Sequence, residues 1–199
     1  MRVIAGQYGG GSLKTPKGSG TRPTTDRVKE SLMSSLDSIL GGFSGLSVLD
    51  AFAGSGGLGI EALSRGAQTC QFFDKDRQAI QTIRSNLEML NIPSTRARVR
   101  QADVFSAKIF APRPFDLVFL DPPYAIEDTH VVDFVIALAS AGMLAPFAVV
   151  VYEHDSSKSL DEALAKGTAQ GIDLRIVKSK RQGACALDII ELRSSSEKG

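Results

Sequence analysis

Two stretches of this chain carry residue types at spacings that could act on a ligand. The first is Asp50-Ala51-Phe52-Ala53-Gly54-Ser55-Gly56-Gly57-Leu58-Gly59, where glycines 54, 56 and 59 fit G-x-G-x-x-G. The second, about seventy residues later, is Asp121-Pro122-Pro123-Tyr124. The first pattern is a cofactor loop if a strand precedes it and a helix follows. The second is a rigid turn that presents a carboxylate, fixed carbonyls and an aromatic ring.

The glycine pattern, with Asp74 at the end of the next strand, also fits a dinucleotide fingerprint. Charge separates the two cofactors. A dinucleotide places its pyrophosphate on the helix N-terminus, and the Asp50 carboxylate just ahead of the glycines would repel it. S-adenosyl-L-methionine has no phosphate; it carries an ammonium and a sulfonium, and an acidic strand end suits both. Its carboxylate can use the loop N–H groups or a nearby helix N-terminus. Phe52, Ala53, Gly54, Ser55, Gly56 and Gly59 would then line the cofactor with Asp50. Asp74 would accept from the ribose hydroxyls, and Asp103, which closes the third strand, from the adenine amine. The competing reading is three loop-capping aspartates.

Asp121, Pro122 and Tyr124 form the candidate catalytic group. An exocyclic base amine is a poor nucleophile because its lone pair is delocalised into the ring. The Asp121 carboxylate and the Pro122 carbonyl can take both amine hydrogens, pulling the nitrogen towards tetrahedral geometry. Tyr124 can stack on the base. Two prolines fix φ there and remove two donors. Such a site needs no metal and no covalent enzyme intermediate.

Strands and helices must position these groups, and the chain alternates between them. A helix is expected over 26–40, with Val28, Leu32, Leu36, Ile39 and Leu40 on one face. Then come a strand at 47–52, a helix at 57–65, a strand at 69–74, a helix at 76–90 and a strand at 96–101. A strand at 116–121, a helix at 129–141, a strand at 148–153 and a helix at 160–166 follow. Strands at 174–179 and 187–192 end the pattern, too close together for a parallel crossover and so paired antiparallel. The expected fold is α/β and Rossmann-like, a mostly parallel seven-stranded sheet with an antiparallel C-terminal hairpin and helices on both faces. The domain spans 26–193, preceded by a basic arm or hairpin over 1–25 and followed by a disordered tail over 194–199.

The bulk properties narrow the class. The chain has 199 residues and a formal net charge of +1, so overall charge does not mark a nucleic-acid partner. Its distribution does. Residues 1–25 contain Arg2, Lys14, Lys17 and Arg22 and no acidic residue, and with Arg27 they could contact phosphates. Arg96, Arg98 and Arg100 form a second basic cluster, and Lys178, Lys180 and Arg181 a third. Cys70 and Cys185 read as reduced core residues of a cytoplasmic protein, too few for a disulfide framework. The uncharged stretch 134–152 is nearly long enough for a membrane, but Ser140, Gly142 and Pro146 divide it into helix, turn and buried strand. His130 and His154 lack ligand partners at useful spacing, Tyr8 either stacks on RNA or packs, and Glu61 reads as a local cap or pair. No long apolar stripe is visible, so a monomer is the default.

Taken together, the two motifs resemble amino-methyltransferases with a D/N-P-P-Y/F sequence. The rest of the chain narrows the resemblance. Arg2-Val3-Ile4-Ala5-Gly6, Arg22-Pro23-Thr24-Thr25-Asp26-Arg27-Val28-Lys29-Glu30, the glycine loop and Asp121–Tyr124 are similar to the bacterial 16S rRNA guanine-N2 methyltransferases. The segment 180–188 matches that family only loosely. The resemblance implies a class I methyltransferase acting on one guanine of 16S rRNA, within the small ribosomal subunit or an assembly intermediate. The same chemistry on DNA adenine or protein glutamine, a nicotinamide-dependent oxidoreductase, and a non-catalytic RNA-binding protein are the alternatives. A DNA enzyme would need a recognition region for which this length leaves little room.

Overall fold

A computed structural model describes residues 1–16 and 26–193. Lys17, Arg22 and the Pro23-Thr24-Thr25 turn, like the tail 194–199, lie outside the described residues. The chain divides into two compact units, Met1–Ile109 and Phe110–Gly199. That division falls inside the stretch 26–193 expected as one domain, and the described part of the arm belongs to the first unit.

The first unit holds α1 (Asp26–Leu40), β1 (Ser47–Asp50), α2 (Gly57–Ser64), β2 (Thr69–Asp74), α3 (Arg77–Met89) and β3 (Ala97–Gln101). The apolar face of α1 buries Leu32, Met33 and Leu36. It also buries Lys29, which the periodicity gave no reason to place inside. Gly41 and Gly42 end the helix at φ 68° and 109°, where side chains are disfavoured. β1 pairs parallel with β2, Asp50 opposite Phe72, and β2 parallel with β3, Asp74 opposite Gln101. Asp76 caps α3 by accepting from the Gln78 amide at 2.6 Å. Ala79, Ile80, Ile83 and Leu87 form the buried side of that helix.

The arm is neither an open strand nor free chain over residues 1–16. Arg2 and Ser12 form an isolated antiparallel bridge, and Val3 and Leu13 are buried. Ala5 to Tyr8 lie against the end of α2, where Ser64 donates to the Ala5 carbonyl at 2.5 Å and accepts from the Tyr8 amide at 2.9 Å. Gly6 is obligatory there. Its φ is 86°, and a Cβ would meet the Ser64 carbonyl oxygen at 2.0 Å.

The second unit holds β4 (Phe115–Leu120), α4 (Asp128–Ser140), β5 (Leu144–Asp155), α5 (Asp161–Ala169), β6 (Asp173–Gln182) and β7 (Cys185–Arg193). β4 and β5 are parallel; β7 is antiparallel to both β5 and β6. The last two strands are joined through Gly183 and Ala184, with Gln182 opposite Cys185. β5 begins at Leu144, earlier than its apolar run suggests. Pro146, which has no amide to donate, and Phe147 at φ 61° fall where the pairing with β4 shifts register. The uncharged stretch 134–152 is thus the end of α4, a turn and β5, and no helix among the described residues is long and apolar enough to cross a membrane.

The seven strands follow the order β3-β2-β1-β4-β5-β7-β6. This is the mostly parallel sheet, with one antiparallel hairpin at its C-terminal end and helices around it, that the alternation predicted.

Candidate active site

In the first unit, β1 runs directly into the glycine loop. Asp50 is its last residue and is only 3% exposed. Its Oδ2 accepts from the Gly59 amide at 3.0 Å, in the first turn of α2. Burial pushes the carboxyl up to about 7, against the opposing pull of the Gly59 hydrogen bond, and the nearby Asp74 charge adds to the rise. Gly56 forms the N-cap of α2 at φ 78°. Gly59 has no room for a side chain, because a Cβ would lie 2.4 Å from the Phe72 ring and 2.7 Å from the Cys70 sulfur. Close helix–strand packing is the usual role of that third glycine.

Asp74 ends β2 half-buried, its Oδ2 accepting from the Gly54 amide at 2.9 Å and its Oδ1 from Asp76 at 2.8 Å. Asp103 is exposed beyond β3 and accepts from the Phe105 amide at 3.0 Å. All three aspartates therefore cap loops. Capping uses one or two of a carboxylate's lone-pair sites and leaves others, so it does not compete with binding. A Cβ added at Gly54 would touch nothing within 4 Å, so the loop has an open side. Phe52 is half-buried and its ring lies 5.6 Å from that of Phe105. Ala53 is buried and Ser55 half-buried.

Two buried side chains hold this loop region; Asn86 carries no motif, and Glu61 reaches beyond the local pair expected of it. Asn86 on α3 donates to the Ser55 carbonyl at 2.9 Å and brackets Lys14 of the arm, accepting from its amide at 2.8 Å and donating to its carbonyl at 3.0 Å. Glu61 on α2 is fully buried. It pairs with Arg65 one turn on, as a local pair would. It also accepts from the Ile4 and Ala5 amides at 2.7 and 3.1 Å and lies 3.3 Å from the Lys29 ammonium. Burial lowers the Lys29 pKa, against the opposing attraction of Glu61.

The basic residues divide by role. Arg96 donates to the Leu63 and Ala67 carbonyls, both at 2.8 Å, and to the Tyr8 hydroxyl at 3.2 Å. It is a strut, not part of an open cluster, and Tyr8 packs against it. Arg100 sits over the Phe73 ring, while Arg98 is exposed. Arg2 is paired with Asp26 at 2.8 Å, Lys14 reaches the Ser85 hydroxyl at 2.8 Å, and Arg27 is exposed.

In the second unit, Leu120 at the end of β4 pairs with Tyr152 of β5. Asp121 and Glu153 are therefore the next residues of neighbouring parallel strands. Pro122 is buried; Asp121, Pro123 and Tyr124 are exposed. The Pro123 carbonyl accepts from the Ile126 amide at 2.9 Å and closes the turn. Cys185, the first residue of β7, is opposite Asp155 of β5. It is half-buried and belongs to this cluster, not to the core as its apolar neighbours suggested. The Cys185 thiol donates to the Ala186 carbonyl at 3.7 Å and has the Tyr124 hydroxyl and the Glu153 carboxylate as polar neighbours. Burial, the Glu153 carboxylate and Asp121 push the thiol up to about 12, so it stays protonated. Burial and the same acidic neighbours raise Tyr124. Glu153 escaped the sequence reading; its signal was its place as the first charged residue after the run 148–152.

His154 is buried, 3.0 Å from the Asp188 carboxylate and 3.0 Å from the Asp155 carbonyl, and stacks on Tyr152. No group of three or more His, Cys, Asp or Glu suited to a metal occurs among the described residues.

The family profile described as conserved hypothetical protein 95 matches residues 1–191. YlbH of Bacillus subtilis strain 168 is 42% identical over 167 residues, covering 82% of this chain and 88% of that protein. Ribosomal RNA small subunit methyltransferase D of Escherichia coli strain K12 is 36% identical over 163 residues, covering 80% of this chain and 77% of its own. The solved structure of yhhF from Escherichia coli has a TM-score of 0.77 at 29% identity, covering 97% of this chain and 98% of that one. The fold is that of a class I methyltransferase, and the chain belongs to the conserved hypothetical protein 95 family, alongside relatives named ribosomal RNA small subunit methyltransferase D.

Proposed function

We propose that this chain methylates the exocyclic N2 amine of a guanine in 16S rRNA, with S-adenosyl-L-methionine as the methyl donor. The observation that carries the reading is the buried Asp50 carboxylate beside an open glycine loop in a family whose relatives are named for rRNA methylation. An anion held in a low-dielectric pocket and pushed towards neutrality is stabilised by a cationic ligand and disfavours a phosphate.

The residues present fit that donor. Asp50 would meet the ammonium, Asp74 the ribose hydroxyls and Asp103 the adenine amine, while Phe52, Ala53, Gly54, Ser55, Gly56 and Gly59 would supply the loop wall. The bound donor supplies an electrophilic methyl group on a sulfonium. The protein's own task is to hold and activate the amine. Asp121 and the Pro122 carbonyl accept its two hydrogens; the Pro123 carbonyl is already engaged by Ile126. Holding both hydrogens localises the nitrogen lone pair, and the proton released on transfer leaves towards Asp121. Positioning of this kind supplies much of a rate enhancement. Tyr124, exposed, offers its ring to the base. The guanine must be unpaired or flipped out to enter. Arg2, Lys14, Lys17, Arg22 and Arg27 contact phosphates and set the register of the RNA, within the small subunit or an assembly intermediate.

The test incubates the protein with labelled donor and either small-subunit particles or naked 16S rRNA lacking the modification, then identifies the labelled nucleoside by mass. The expected product is N2-methylguanosine. Label on another nucleoside, or transfer to no RNA, overturns the reading.

A further inference from the structure

We infer that Glu153 determines base specificity in this site by accepting a hydrogen bond from the guanine N1–H while Asp121 holds the N2 amine. The inference rests on the guanine reading above and goes beyond it by assigning the residue that recognises the base.

The parallel register, with Leu120 opposite Tyr152, puts Asp121, the first residue past β4, beside Glu153, which lies within β5 two residues before its end. Neighbouring parallel strands lie about 4.8 Å apart, and residues at equivalent register project to the same face. The N1 and N2 atoms of guanine are two bonds apart along one edge of the ring, and both carry hydrogens. Two carboxylates side by side match two donors side by side. Adenine presents a bare N1 lone pair at the equivalent place, which a carboxylate repels. Cytosine likewise offers a lone pair beside its amine.

Glu153 sits in a polar cluster. The Cys185 thiol, which donates to the Ala186 carbonyl at 3.7 Å, neighbours both the Glu153 carboxylate and the Tyr124 hydroxyl. A carboxylate accepts at several positions on two oxygens, so a neighbouring thiol leaves positions for the base. The same cluster keeps the carboxylate near the ring proposed to stack on the base, so the edge and the face of the purine are addressed by neighbouring groups. Pairing by both donors of a base edge is the kind of contact that discriminates between bases.

The test compares kcat/KM on two substrates: small-subunit particles rebuilt on 16S rRNA with guanine at the methylated position, and the same particles with 2-aminopurine there. 2-Aminopurine keeps the N2 amine but has a lone pair at N1. The wild-type chain is expected to favour guanine by at least about tenfold. Glu153→Gln supplies an amide that can donate to that lone pair, and is expected to narrow the ratio by about tenfold or more. Dividing the two ratios cancels the effect of the missing O6. Glu153→Asp keeps the charge but withdraws it by one methylene, and is expected to narrow the ratio less. Far-UV circular dichroism and donor affinity matching wild type establish that each variant is folded. Unchanged ratios in both folded variants overturn the assignment of Glu153. If the wild-type chain labels a nucleoside other than N2-methylguanosine, the guanine reading itself fails, and the mass of that product distinguishes this from a failure of Glu153 alone.

Discussion

The two motif regions are built in different ways. In the glycine-loop region each acidic side chain is tied to backbone amides: Asp50 to Gly59, Asp74 to Gly54 and Asp76, Asp103 to Phe105. Around Asp121 the polar neighbours are side chains, those of Tyr124, Cys185 and Glu153. Backbone-anchored groups are fixed once the chain is folded, whereas exposed side chains such as Tyr124 can adjust to what arrives. A fixed cradle suits a small ligand of constant shape; an adaptable cluster suits one base of a large, separately folded RNA.

That contrast can be broken at several points. The largest effect is expected from Asp121→Ala, which should lower methyl transfer by about 10²–10³-fold, the usual cost of losing one polar contact to a reacting group. Donor affinity, measured by calorimetry, should stay within twofold; a parallel loss of donor binding would show that the two regions are not separable. Gly59→Ala comes next. The added methyl meets Phe72 and Cys70, so a stability loss of about 1–3 kcal/mol is expected in denaturant titration. An unchanged midpoint would mean that the cradle is looser than described.

A pH effect should follow from Asp50. Its folded pKa is raised from 3.8 to about 7, so the folded chain holds that proton more tightly than the unfolded one. Stability from this group is therefore lost as pH rises from near 4 towards 7. Affinity for a cationic donor should move the other way, growing several-fold between pH 6 and 8. The ligand amine also titrates, so the diagnostic quantity is the difference from Asp50→Asn, in which the carboxylate contribution is absent. Superimposable binding profiles for the two proteins would remove Asp50 from the donor site. The smallest effect is expected from Tyr124→Phe, which keeps the ring and loses one hydroxyl contact. A few-fold change in kcat/KM is anticipated, and a loss as large as that of Asp121→Ala would give the hydroxyl a role beyond orientation.

Much of this architecture was legible in the sequence for physical reasons. Alternating β and α periodicity and a short final connection determine a parallel sheet with a terminal hairpin, and the strand 69–74 and the start of the helix at Asp26 follow from pattern alone. Glycine spacing and Asp50 together indicate a cofactor loop because each constrains backbone and charge separately. Local pattern is silent where long-range partners decide. Lys29 and Glu61 are buried only because they meet each other and the arm. Arg96 looked like one of three exposed arginines until its carbonyl partners 29 and 33 residues away were visible. Cys185 sat among apolar residues, yet strand pairing brings it to the edge where Tyr124 lies. β5 began early because a register shift, not hydrophobicity, accommodates Pro146.

The attachment of the first residues to Glu61 bears on how the arm can be dissected. Ile4 and Ala5 donate to an interior carboxylate, and the Lys29 ammonium rests on the Arg2 carbonyl. Deleting the segment would strand a cation and an anion without those caps. A truncated protein would therefore lose rRNA binding through a damaged scaffold, whether or not the arm touches RNA. Charge reversal at Lys14 or Arg27 alone leaves those caps in place, and is the cleaner probe of phosphate contact.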